Sequence, residues 1–197
     1  MIGLDGLGVR HRRYSAGMAE LTTPRLVLRH WRGSDLEPWV AMNADPQVRE
    51  FFPGLATREQ SAATMARCQA GLDQRGWGWW AVEVAATGEF IGMTGLSPVE
   101  ANMPFGGVEV GWRLRRDAWG NGYATEAARA CLAYGFDTLG LPEIVALTAV
   151  GNLRSQAVMR RIGMTRDPDG DFDHPNVPDG PVRRHALFRI QVPPRAH

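Results

Sequence analysis

The chain has 197 residues, 44% of them hydrophobic and 22% charged, and a formal net charge of +1. That is the profile of one globular domain with a full core, and it leaves no global field to draw nucleic acid or an anionic membrane. All 22 basic residues are arginine, which excludes a Schiff-base lysine, a pyridoxal-phosphate anchor and the lysine of a nucleotide P-loop.

Residues 1–20 mix glycine and arginine without the apolar core of a secretory signal, so a poorly ordered leader is expected there. A single domain should follow over 21–192, with a short tail at 193–197. Arg25 to Trp31 alternates Leu26, Leu28 and His30 against Val27 and Arg29, which predicts a first strand. Ser34-Asp35-Leu36-Glu37 reads as a capping box opening a helix to about Ala44. Asp45-Pro46 should start a further short turn of helix, closed by Pro53-Gly54. Thr57 to Gln60 is a second capping box, leading a helix to about Arg75.

Strands are predicted over Trp79–Ala86 and Phe90–Pro98, joined by the hairpin turn Thr87-Gly88. Another covers Val108–Leu114, with Val108, Val110, Trp112 and Leu114 on one face and Glu109, Gly111 and Arg113 on the other. Ala128, Cys131, Leu132, Gly135, Phe136 and Leu139 then repeat at helical spacing. Glu143–Ala149 is apolar on both faces and should be a central strand. Asn152–Ile162 is a helix ending at Gly163, and strands from Met164 and over 184–191 complete an α+β, mixed α/β layer fold. The longest apolar runs, such as IVALTAV at 144–150, fall far short of the ~20 residues that span a bilayer. Cys68 and Cys131 lie in helical patterns without pairing or metal-ligand spacing, and read as reduced packing residues of a cytoplasmic protein.

The stretch RRDAWGNGYATEA at 115–127 brings two glycines to a helix start, where free N–H groups can hold an anion. A Walker loop fails for want of lysine. A dinucleotide fingerprint fails because Thr125 occupies its sixth position and the preceding strand ends a meander rather than an early βαβ unit.

Trp119-Gly120-Asn121-Gly122-Tyr123-Ala124 resembles the pyrophosphate loop of the GNAT-type N-acetyltransferases, with Trp119 in a position that is usually polar. AWGNGYATEA is similar to the version in the ribosomal-protein-alanine (RimJ/RimL-like) branch. The segments LTTPRLVLRHW at 21–31, TGEFIGMTGL at 87–96, VEVGWRL at 108–114, GNLRSQAVMRRIGM at 151–164 and the closing RRHALFRI resemble that branch in order.

The resemblance implies the GNAT fold, a mostly antiparallel central sheet of about seven strands flanked by helices. It also implies an enzyme that acetylates a primary amine with acetyl-CoA. The implied cofactor contacts are main-chain groups of Trp112 and Leu114, the loop Trp119, Gly120, Asn121, Gly122, Tyr123, Ala124 and Thr125, and the side chains of Asn152 and Ser155. Ser155 would protonate the departing thiolate. Glu109 is the candidate general base, acting through water, and a backbone N–H of its strand would stabilise the oxyanion. Read from the residues alone, Asn152 is a good N-cap, Glu126 a first-turn helix stabiliser, and Glu109 equally a paired surface group.

Acceptor contacts are expected from Phe51, Phe52 and Trp79, and from Asp173 and His174 in the acidic loop DPDGDFDHPNVPDG at 167–180. That loop lacks the EF-hand glycine spacing, so no metal is expected. A catalytically inactive CoA-binding regulatory module and a nucleotide-binding protein are the competing classes. The acceptor would be a peptide N-terminus or a small amine, without nucleic acid or membrane, and a homodimer stays open.

Overall fold

The computed structural model describes residues 10–13 and 19–192. Of the leader expected over 1–20, residues 1–9 and 14–18 lie outside the described residues, as does the 193–197 tail. Arg10–Arg13 forms a short strand, β1, paired antiparallel with β2 (Ala19–Thr22), which pairs in turn with β3 (Leu26–Arg29).

Two helices follow. α1 spans Leu36–Asn43, and α2 spans Arg58–Arg75. The start of α2 agrees with the sequence: Thr57 Oγ1 accepts from the Gln60 N–H at 3.2 Å, and Gln60 Oε1 accepts from the Thr57 N–H at 2.9 Å. Gly76 ends the helix at φ 77°, a left-handed turn that glycine makes without a Cβ penalty. The Ser34–Glu37 box does not form. A short 3₁₀ turn over Gly33–Asp35 precedes α1, and it is Asp35 that accepts from the Arg32 N–H, at 2.7 Å. Asp35 also takes both terminal nitrogens of Arg29, at 2.8 and 2.9 Å, and Arg29 Nε donates to Glu83 at 2.6 Å. This buried pair, with side chains 4% and 2% exposed, occupies the Asp35 carboxylate ahead of α1, whose N-cap residue Asp35 makes no side-chain capping bond. Glu37 pairs with Arg58 instead. The short helix expected after Asp45-Pro46 is a set of hydrogen-bonded turns.

β4 (Trp79–Val84) and β5 (Glu89–Pro98) make the expected hairpin, with Gly88 at φ 72° in its turn. β6 covers Val108–Leu114 and β7 Glu143–Ala149, both as read from alternation and apolarity. Between them α3 (Tyr123–Ala133) continues into a π-helical turn over Tyr134–Thr138. α4 spans Leu153–Arg161, followed by the two-residue strands β8 (Thr165–Arg166) and β9 (Phe172–Asp173), and by β10 (Arg184–Gln191).

The ten strands form one sheet in the order β1-β2-β3-β4-β5-β6-β7-β10-β8, with β9 added on β10. The strands beyond the expected seven are β1, β2 and β9. All neighbours are antiparallel except β6 and β7. α3 presses Ala127, Ala128, Ala130 and Cys131, all fully buried, onto β5 and β6. Small side chains there let helix and sheet approach closely. Trp39 of α1 and Cys68 and Leu72 of α2 are buried on the other face, where Trp39 meets Trp31 edge-on at 5.1 Å. Burial raises the Cys68 thiol to about 11 and the Cys131 thiol to about 12, so both are neutral packing groups. Among the described residues no helix is long and apolar enough to cross a membrane.

Candidate active site

β6 and β7 run parallel but share one paired position, Glu109 against Val145. Beyond it, towards their carboxyl ends, the strands separate. The phase of the β5–β6 ladder decides which main-chain groups face that gap. Arg115 N–H donates to Ile91 C=O at 2.8 Å, and pairs in an antiparallel ladder alternate between bonded and non-bonded. With Gly92 opposite Leu114 and Thr94 opposite Trp112, the N–H and C=O groups of Trp112 and Leu114 therefore turn away from β5 and towards β7. The Leu114 carbonyl is already engaged, accepting from the Trp119 indole N–H at 2.8 Å.

Past the end of β6, Gly120 and Gly122 adopt φ 80° and 78°. A Cβ at Gly120 would meet nothing within 4 Å, so glycine is needed here for backbone conformation rather than for room. Among the described residues no backbone partner accepts from the N–H groups of residues 120–125. They precede or open α3, an arrangement that fits a pyrophosphate. Two contacts brace the loop from behind. Asn121 Nδ2 donates to the carbonyls of Ala118 and Trp119 at 3.2 and 3.3 Å, and Arg25 donates to the Asn121 carbonyl at 3.0 Å.

Glu126 ties the first turn of α3 to the β2–β3 turn, accepting from Thr23 Oγ1 at 2.6 Å, Arg25 N–H at 3.0 Å and Arg25 Nε at 2.6 Å. Burial would raise its pKa, but these hydrogen bonds outweigh it and hold the carboxyl below its ordinary value. Its geometry is that of a bolt between two elements. Arg115 is likewise spent within the chain, on Glu89 and Asp117.

Across the gap, Asn152 caps α4, its Oδ1 accepting from the Ser155 N–H at 3.1 Å. Its amide nitrogen donates to Thr148 Oγ1 at 3.0 Å and to Ser155 Oγ at 3.1 Å. Both N–H donors of Asn152 are thus used inside the chain, while the Ser155 hydroxyl, as acceptor, keeps its own proton to give. Glu109 and Ser155 are not in contact. Glu109 lies beside Val145 where β6 and β7 pair, and Ser155 lies in the first turn of α4, which follows β7.

Glu109 faces the α1–α2 side together with Gly111 and Arg113. The Trp79 ring lies over Gly111, where a Cβ would come within 2.9 Å of it. Burial raises the Glu109 pKa to about 7, and the Glu100 carboxylate adds to the shift. No hydrogen bond or ion pair engages the Glu109 carboxylate among the described residues.

The segment between α1 and α2 roofs this side. Phe51 reaches Gly151, with its ring 3.5 Å from where a Cβ would stand, and Arg154 pairs with Glu50. The Arg154 guanidinium lies 4.9 Å from the Trp119 ring centroid, as does that of Arg116. Phe52 carries two more, Arg113 at 4.2 Å and Arg49 at 4.5 Å.

The 167–180 loop packs against the β5–β6 connection, with Phe172 edge-on to Phe105 at 5.1 Å. Asn176 donates to Glu100 at 2.5 Å, and Asp173 pairs with Arg184 at 3.4 Å. The His174 ring stacks on Phe172 and lies 4.8 Å from His185. Burial and then His185 push the His174 pKa down. Among the described residues no three His, Cys, Asp or Glu side chains converge on a metal position.

The family model described as an acetyltransferase (GNAT) domain matches residues 25–165. The chain belongs to this family. It is 38% identical over 120 residues to YkkB of Bacillus subtilis, a match covering 61% of this chain and 69% of that protein. It is 35% identical over 121 residues to the FsC-acetyl coenzyme A-N(2)-transacetylase of Aspergillus fumigatus, covering 55% of this chain and 52% of that one. The solved acetyltransferase from Agrobacterium tumefaciens superposes with a TM-score of 0.73 at 28% identity, over 93% of this chain and 99% of that one.

Within the GNAT domain, two residues escaped the sequence reading. Arg113 and Arg49 carry no carboxylate partner among the described residues. Arg113 donates to Asn43 Oδ1 at 2.8 Å, and its Nε is buried without a partner. Burial, then the Arg49 charge, pulls its pKa down to about 10. Cation–π contacts contribute roughly 0.5–2 kcal/mol each, less than the several kcal/mol that desolvating an unpaired charge costs. Arginine at an alternating strand position gives no local sign of this, because Phe52 and Asn43 come from a distant segment.

Proposed function

We infer that this chain transfers an acetyl group from acetyl-CoA to a primary amine, either a protein N-terminal α-amino group or a small-molecule amine, by direct attack in a ternary complex. The observation that carries the reading is Glu109, an unpaired carboxyl with pKa near 7 at the vertex of the gap between β6 and β7. Bound acetyl-CoA supplies an activated thioester. Glu109, through water, takes the proton from the ammonium group, so that the neutral amine can form the new N–C bond. That pKa suits an α-amino group, near ~8, better than a lysine near ~10.4.

The outward main-chain groups of Trp112 and the N–H of Leu114 hold the pantetheine arm, with Asn152 bordering it, while the Leu114 carbonyl stays with the Trp119 indole. The N–H groups from Trp119 to Thr125, through Gly120, Asn121, Gly122, Tyr123 and Ala124, receive the pyrophosphate. As the C–S bond breaks, Ser155 gives its proton to the leaving thiolate. Phe51, Phe52 and Trp79 form the nearer acceptor wall, and Asp173 and His174 an outer lip. The motif AWGNGYATEA supports the RimJ/RimL-like branch, and two buried reduced thiols suit a cytoplasmic enzyme.

Saturating acetyl-CoA should raise the melting temperature by several degrees, since ligand at about 100 Kd stabilises by ~2.7 kcal/mol. CoA should be released only when an amine is present. No thermal shift would sink the reading. A shift without transfer to any amine would leave a regulatory CoA-binding module, and a shift with ATP but not CoA a nucleotide-binding protein. Ser155→Ala should lower kcat about 10-fold, a modest effect because a thiol of pKa ~8.5 leaves readily. The acetyl-CoA KM should stay within about twofold, and an unchanged kcat would remove Ser155 from the chemistry.

A further inference from the structure

Resting on that reading, we propose that Arg113 and Arg49 form a receptor for an anionic group on the acceptor, so that the preferred substrate is an amine tethered to a carboxylate. Both guanidiniums lie over the Phe52 ring, at 4.2 and 4.5 Å. Neither meets a carboxylate among the described residues, although most other interior arginines do: Arg29 has Asp35 and Glu83, and Arg189 has Asp167 and Glu143. Arg49 Nε is bound to the Gly54 carbonyl at 2.7 Å, and Arg113 gives one bond to Asn43 while its Nε finds nothing. Two like charges gathered on one ring, with donors left over, repel each other until an anion joins them.

The position relates this pair to the acceptor rather than to coenzyme A. Arg113 is four residues along β6 from Glu109 and on the same face, with the Trp79 ring over Gly111 between them. The unpaired N–H groups of the glycine loop lie beyond the end of that strand, at the start of α3. At strand spacing the two Cα positions are about 13 Å apart. Arginine's long side chain shortens the span, which suits a short peptide N-terminus bearing an acidic residue, or an ω-amino acid, rather than a simple α-amino acid.

The test uses three acceptors that share one primary amine and carry, at the far end, a carboxylate, a carboxamide or an ammonium group. With the wild-type protein, kcat/KM should be highest for the carboxylate. Arg113→Gln should abolish that preference, costing the carboxylate acceptor about 10–100-fold, the scale for a lost charged hydrogen bond. It should raise the acceptor KM while leaving the acetyl-CoA KM unchanged, and Arg113→Lys should restore part of the preference. Arg49→Gln, in the turn segment, repeats the measurement at a site less tied to the core.

Equal or better use of the carboxamide or ammonium acceptor overturns the proposal. So does a variant that slows all three alike, or one that weakens acetyl-CoA. A fourth compound, the carboxylate member with its amine replaced by methyl, probes the anion receptor without transfer. If it binds the wild type and not Arg113→Gln in the absence of any acetylation, the receptor stands and the transfer reading fails. If it binds both equally, the receptor fails.

Discussion

Replacing Glu109 by Gln is expected to lower kcat/KM by about 10²–10⁴-fold at pH 8, the range for a lost general base, and to make the protein more stable in the same buffer. The two effects have one origin. The carboxyl is raised to about 7 by burial and by Glu100, so the ionised form is costly to keep where it is. On the proposed function it is a base matched to neutral pH: wild-type kcat/KM should rise between pH 6 and 8 as Glu109 loses its proton. The Gln variant should lose that group's contribution and follow only the acceptor amine's own deprotonation, near ~8 for an α-amino group. In folding the sign is reversed. A carboxyl whose pKa is higher folded than unfolded binds its proton more tightly in the native state. Its contribution is fully present below about 4.5 and is lost as pH rises through 7. Gln cannot ionise, so the variant should gain on the order of 1–3 kcal/mol above pH 8, with solvent access keeping it below the full linkage value. At ~2–4 °C per kcal/mol for a chain of this size, the gain is readable by thermal melts at pH 5 and 8. A variant with normal activity, or one stabilised equally at both pH values, would contradict this account.

Asp35→Ala should be the most damaging substitution outside the cleft. Asp35 accepts both terminal nitrogens of Arg29 and the backbone N–H of Arg32. Its side chain and that of Arg29 are almost wholly buried. Glu83 remains on Arg29 in the variant but must also serve Arg32. Breaking a buried pair by removing one partner costs about 3–5 kcal/mol, a large part of the ~5–15 kcal/mol that holds a domain together. Urea denaturation should show it, with a drop in melting temperature on the order of 10 °C. The exposed Glu37–Arg58 pair is the control, since water already screens it and Glu37→Ala should melt close to the wild type. Asp35→Ala behaving like Glu37→Ala would mean that water reaches Arg29 and replaces its partner.

Where local chemistry decides, sequence and structure agree closely. β6 and β7 fall where alternation and apolarity put them, and Thr57 with Gln60 starts α2 as a capping box should. Sequence reading failed where distant partners intervened. Ser34-Asp35-Leu36-Glu37 has the residues of a capping box, but Arg29 and Arg58 claim the two carboxylates first. β9 forms inside an aspartate- and proline-rich loop because Phe172 packs on Phe105 and its backbone pairs with His185. Glu109 stood out by position on its strand, yet its isolation depends on neighbours from other elements. Asn152 was legible as an N-cap. That its amide holds Ser155 and Thr148 together was not.

The single parallel bridge at Glu109 and Val145 also bears on how the sheet behaves as a mechanical body. Main-chain bonds knit β1 through β6 into one raft and β7, β10, β8 and β9 into another. Across the seam the ladder is interrupted, leaving helices and side chains to carry the load. An occupant that bonds to the outward groups of Trp112 and Leu114 would act as a splint along that seam. The domain would then be tougher under strain with its donor bound than without it, and donor release would be the moment when the rafts can shear. On that reading, binding of the donor and the integrity of the sheet would be two faces of one set of main-chain bonds.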